Sequence, residues 1–176
     1  DYFAATKGLN VEGFVYMQVE VAPAYALIEA REIAALADID SRVLAIVPWA
    51  PLEAGEKVRI FLEQLAGISP KIKSIRRIVQ GEPDPEFCLQ PGFVRGNQIL
   101  AEYDLSSEIC CNYTQLGQNV ELVRQCPDTK FILNHIGKPN IRGKEFETWA
   151  SQMTELAGFD NVVCKISGAT TEADLE

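Results

Sequence analysis

At 176 residues and 47% hydrophobic content, the chain can bury a real core and has the length of about one domain, so a single domain over 1–176 is expected. The 16 basic and 25 acidic residues leave a net charge of -9, which repels a phosphate backbone and argues against a nucleic-acid partner. No apolar run approaches the ~20 residues that span a bilayer and no charged-then-apolar leader opens the sequence, so no membrane partner and a cytoplasmic location are expected.

The first strand is expected over 13–20, where Phe14, Tyr16, Gln18 and Glu20 alternate with Val15, Met17 and Val19. Pro23 then opens a helix over 24–37, rich in Ala, Leu, Ile and Glu. A second strand over 42–47 is closed by Pro48, Trp49, Ala50 and Pro51. Val58, Phe61, Leu62 and Leu65 fall on one helical face that ends at Gly67. The third strand, 72–79, contains Arg76 and Arg77, and a long loop over 80–90 carries Pro83 and Pro85. A helix over 93–103, a strand over 106–111, a helix over 116–126 and a strand over 130–136 follow. Phe146, Trp149, Met153 and Leu156 mark the next helix, and 161–167 make a sixth strand.

Strand starts recur about every thirty residues, the size of one βαβ unit, which predicts an all-parallel α/β protein. No glycine-rich phosphate loop follows any of the strands, so dinucleotide and P-loop chemistry is set aside. The five cysteines, Cys88, Cys110, Cys111, Cys126 and Cys164, are odd in number and lack C-x-x-C spacing, and they read as reduced, small apolar residues. Both ends look cut: Asp1 stands where a methionine would, and Glu176 falls where a helix should begin.

A parallel sheet is covered on its faces, so charges inside its strands need a reason. By alternation one of Arg76 and Arg77 turns to the helices and the other to the interior, where Arg either grips oxygen atoms or pairs internally with Glu20 or another carboxylate. Lys165 either belongs to a site or passes beyond its strand end to water. Trp49 either walls a pocket or caps the core. His135, the one histidine, ends an apolar strand, and in parallel sheets ligands gather at the carboxyl ends of strands. Gln18, Trp49, Arg76, His135, Lys138 and Lys165 thus outline a polar strand-end surface.

The runs 75–84, 131–139 and 161–168, together with 47–53, resemble the amidohydrolase-related family, specifically its sugar-lactone hydrolase branch, in order and in spacing. That resemblance implies a (β/α)8 TIM barrel with a His-x-His pair after its first strand, a histidine after its sixth and an aspartate after its eighth. His135 matches the sixth-strand histidine. The chain is then an incomplete barrel of about six βα units, without the first and last strands. Asn134 stands where the family usually has Asp, and alternation points it away from His135, so an effect through a supporting contact or through packing is expected rather than loss of a catalytic group. Ser74 and Gly92 depart from the usual Gly and Asp.

The resemblance further implies opening of an aldonolactone to its hydroxy acid by water that the eighth-strand aspartate activates. On this reading His135 is catalytic, orienting water or touching the carbonyl, while Arg76, Gln18, Trp49 and Lys138 bind the lactone substrate. A catalytic zinc needs three protein ligands, so no metal site is expected from this chain, whereas zinc in the full-length parent stays open. Weak or absent activity and self-association through open barrel edges are expected. Two other readings stand: a truncated, non-catalytic remnant that binds or dimerises, and a decarboxylase or hydratase of the same superfamily.

Overall fold

In the computed structural model, residues 2–173 are described. A short helix, α1 (Tyr2–Ala5), precedes six strands: β1 (Phe14–Met17), β2 (Val43–Val47), β3 (Ser74–Arg76), β4 (Ser106–Ile109), β5 (Phe131–Leu133) and β6 (Val162–Cys164). All ladders are parallel and follow chain order, β1-β2 and then β3-β4-β5-β6. The helices between them are α2 (Ala26–Ile39), α3 (Val58–Ala66), α4 (Pro91–Glu102), α5 (Leu116–Gln125) and α6 (Glu147–Leu156). Right-handed crossovers between consecutive parallel strands put every helix on one face, which gives an arc of a barrel rather than a doubly wound sheet. The arc curls enough to bring Met17 Sδ within 3.7 Å of Lys165 Nζ, one residue past β6.

The seam between the two ladders is a bulge. Ile46 pairs with Ile72, and the Lys73 N–H donates to the Ile46 carbonyl at 3.2 Å. In a regular ladder the Ile75 N–H would reach the Pro48 carbonyl, yet the Arg76 N–H does so, at 3.0 Å. One extra residue therefore sits on the β3 side, where Pro48 has no N–H to keep the register. The bulge reverses alternation. Ile72 joins Ile46 in the apolar layer under the helices, while Ser74 and Arg76 turn to the concave face.

Helix faces explain the core. α2 buries Ala26, Ala30, Ala34 and Ala37, whose small side chains let it lie close against β2. α3 buries Val58, Leu62 and Leu65, one stripe at helical spacing. α4 presses on the turn Leu52–Lys57, and Gly96 makes this contact fit, since a Cβ there would fall 2.0 Å from the Leu52 carbonyl oxygen. Opposite the helices, Phe131 and Leu133 point into the apolar layer while Val15 and Val163 remain more than half exposed on the concave side. Among the described residues no helix is long and apolar enough to cross a membrane.

The observed strands are shorter than the sequence pattern predicts. β3 starts late because of the bulge, β5 ends at a left-handed turn, and β6 pairs only with β5. Four of the cysteines, Cys88, Cys110, Cys111 and Cys126, are buried, and burial pushes the thiols of Cys88, Cys111 and Cys126 up to about 12, whereas Cys164 is exposed.

Candidate active site

The concave face holds a buried polar network at the carboxyl ends of β3 to β6. Glu108 of β4 is 3% exposed, and a carboxylate buried that deeply needs a counter-charge and donors. Lys165 Nζ lies 2.6 Å from Glu108 Oε2, and Asn134 Nδ2 donates to the same oxygen. Asn134 also donates to the Ile132 carbonyl at 3.2 Å. Next to Glu108 in the β3-β4 register stands Arg76. Its guanidinium donates to the Gln18 carbonyl, while its buried Nε meets no protein acceptor.

His135 owes its position to backbone conformation. Strict alternation would send it to the helix face with Leu133. Instead His135, Ile136 and Lys138 adopt φ of 54°, 49° and 49°, in the left-handed region where non-glycine residues are strained. Three hydrogen bonds hold the turn: Ile136 N–H to the Lys165 carbonyl at 3.1 Å, Trp149 Nε1–H to the Ile136 carbonyl at 2.8 Å, and Lys138 N–H to the His135 carbonyl at 2.9 Å. The imidazole Nδ1 lies 2.9 Å from Ser167 Oγ. Gly168, at φ 74°, packs beneath it, where an added Cβ would come 2.8 Å from His135 Cβ. Burial first, and then the positive charges of Lys138, Arg76 and Lys165, lower the imidazole pKa, so it is neutral at pH 7. Lys138 Nζ donates to Gln80 Oε1, an oxygen that Cys110 Sγ also approaches at 3.9 Å.

The charges of Arg76, Lys138 and Lys165 thus all reach His135. Gln18 meets this group through its backbone carbonyl, which accepts from Arg76, while its side chain and Trp49 line a neighbouring cleft of about 290 Å³ with Pro23, Glu53 and Arg77. There Gln18 Oε1 accepts the Glu20 N–H, and Trp49 packs edge-on against Phe61 of α3 at 5.7 Å. Arg77 takes the internal-pair alternative: it bridges Glu53 and Glu82 and lies over the Phe87 ring at 4.9 Å. Lys165 turns inward rather than past the strand end. Asn134 points away from the imidazole and takes the supporting-contact alternative, donating to Glu108 within the charged network. Glu108 escaped the sequence reading, although a carboxylate inside an otherwise small and apolar strand was the signal for it.

The donors present do not fit a metal. Among the described residues no three His, Cys, Asp or Glu side chains converge, and a catalytic zinc needs three ligands. The oxygen of Glu108 on the concave face already serves an ammonium and an amide.

A parallel barrel arc with helices outside and ionisable groups at the strand carboxyl ends is the construction of TIM-barrel proteins. Residues 2–176 match the amidohydrolase family, and the chain belongs to that family. It is similar to the L-fucono-1,5-lactonase of Burkholderia ambifaria, 29% identical over 143 residues that cover 78% of this chain and 48% of that protein. It is also similar to the L-rhamnono-gamma-lactonase of Scheffersomyces stipitis, 24% identical over 75% of this chain and 45% of that protein. A Burkholderia multivorans amidohydrolase solved with bound zinc superposes at a TM-score of 0.85 and 25% identity, over 99% of this chain and 60% of its own. The chain spans about half the length of the curated relatives it matches.

Proposed function

We propose that the whole protein is a sugar-lactone hydrolase, and that this chain carries its substrate-gripping side. Water attacks the ring carbonyl of an aldonolactone, the ring C–O bond breaks, the leaving alkoxide takes a proton, and the hydroxy acid departs as a carboxylate. The reading rests on one observation above all: Arg76, His135 and Lys138 converge at strand ends around an imidazole kept neutral by burial and positive neighbours. The two relatives named for lactone hydrolysis support it.

His135 can act in either tautomer. If Ser167 donates to Nδ1, the Nε2–H is a donor for the lactone carbonyl; if Nδ1–H donates to Ser167, Nε2 accepts from water. Lys138 and the guanidinium charge of Arg76 stabilise the developing oxyanion and hold the sugar oxygens. Gln18 and Trp49 bind at the edge, from the neighbouring cleft. No three candidate zinc ligands converge among the described residues, and no step above runs through a metal.

Acid release from L-fucono-1,5-lactone and L-rhamnono-gamma-lactone tests the proposal. Hydrolysis by the whole protein is expected, with His135→Ala lowering kcat/KM by about 10²-fold or more. The 176-residue chain alone should show weak or no activity, because its concave-face carboxylate is tied to Lys165 and Asn134. Turnover of aromatic carboxylic acids with inert lactones would contradict it and favour the decarboxylase or hydratase reading.

A further inference from the structure

Lys165 leaves the sheet one residue after β6, where a lysine would ordinarily carry its charge out to water. It does the opposite. Its ammonium reaches across β5 to Glu108 of β4 and comes against Met17 of β1, so it bridges both margins of the barrel arc. An ammonium has three donors. Glu108 takes one, and the thioether of Met17 is a weak acceptor, which leaves Lys165 with donor capacity on the concave face.

Glu108 is committed on the oxygen that faces Lys165 and Asn134. Its Oε2 holds Lys165 and Asn134 together, so its lone pairs on that oxygen are engaged and its charge is matched. A carboxylate with 1% side-chain exposure, paired to a lysine with 34%, has the geometry of a holder: the hidden partner fixes where the accessible one points. A buried ion pair is weak evidence for stability, which leaves a role in placing the ammonium as the better account of its presence.

We propose that Lys165 is a ligand-binding residue of the strand-end site and that Glu108 is a positioning residue that keeps its ammonium turned inward. The ligand is oxygen-rich and carries a carbonyl or carboxylate, as a sugar lactone and its ring-opened acid do; its identity as a sugar rests on the lactone-hydrolase reading, while the access of Lys165 does not. Lys165, just beyond β6, then grips the ligand from one side, with Lys138 and His135 at the rim.

Amine acetylation of the folded 176-residue chain, read peptide by peptide in a mass spectrometer, tests this without requiring turnover. Lys130, whose side chain is 73% exposed, is the reference. Lys165 is expected to react about tenfold more slowly than Lys130, the scale of one charge-assisted hydrogen bond. L-fuconate should slow it further while leaving Lys130 unchanged, and the neutral polyol L-fucitol should protect it less. Glu108→Gln should speed acetylation of Lys165, with circular dichroism confirming the fold. Because a loss of binding could reflect unfolding, Lys165→Arg is the second variant: it should retain fuconate binding by calorimetry where Lys165→Met loses it. Protection by benzoate but not by fuconate would support the Lys165 assignment and remove the lactone reading. An acetylation rate at Lys165 that no ligand changes, or that Glu108→Gln leaves unchanged, would overturn the proposal.

Discussion

Removing the ammonium from the Glu108–Lys165 pair should cost more than neutralising the carboxylate, and the structure fixes the order. Glu108 has 1% side-chain exposure and Lys165 has 34%, so Lys165→Met strands a carboxylate that water barely reaches. Breaking a buried pair from one side costs about 3–5 kcal/mol, and the partial exposure of Lys165 places this case at about 3 kcal/mol. Glu108→Gln keeps an acceptor for Asn134 and Lys165, and it leaves an ammonium that can swing outward, so about 1 kcal/mol is expected. Replacing both groups, Glu108→Met with Lys165→Met, should return stability to within about 1 kcal/mol of the wild type, since a matched apolar pair needs no solvation. Urea denaturation followed by circular dichroism at pH 7 measures all three. A Lys165→Met cost equal to or below that of Glu108→Gln would show that Glu108 is solvated, and the reasoning would fail.

Gly168→Ala should destabilise by about 1–3 kcal/mol and shift the His135 ring resonances, because the new methyl meets His135 at φ 74°. The lowered imidazole pKa sets a pH dependence: the unfolded chain protonates first, so stability is intact above the unfolded value of about 6.5 and falls as pH drops towards the folded value. His135→Gln should flatten that slope in thermal melts between about pH 5 and 7. Val15 in the first strand is 54% exposed, Val163 in the last 63% and Ile166 just beyond it 93%, so sedimentation velocity should reveal concentration-dependent association, and Val163→Lys should reduce it. A monomer at every concentration would remove the edge-pairing idea.

The order and direction of the strands were legible because each βα unit repeats the same switch from a short apolar run to a helical stripe. Ile75, Ile109 and Leu133 face the core as period-two patterns require. What alternation could not show is where the count slips. The extra residue between Ile72 and Ser74 leaves no mark except Pro48, which sits on the partner strand and whose missing N–H acts across the sheet. The left-handed turn is equally silent, because Ile136 and Lys138 are residues whose types argue against positive φ. Long-range bonds from Trp149 and Lys165 impose it, so its cause lies elsewhere in the chain. Glu108 pairs with a lysine 57 positions later, and parity within single strands gives no hint of such a match. Arg77, by contrast, sorted correctly against Arg76, since both follow the bulge and keep ordinary alternation.

The claim that the strand-end cluster is a ligand site is tested most directly by titrating the isotope-labelled 176-residue chain with L-fuconate and following its amide and side-chain resonances. Shifts should concentrate on Arg76, His135, Lys138 and Lys165, with Arg77 and Trp49 perturbed less. A well-dispersed spectrum in which those four residues stay fixed, or in which shifts gather on the helix-covered face instead, would contradict it.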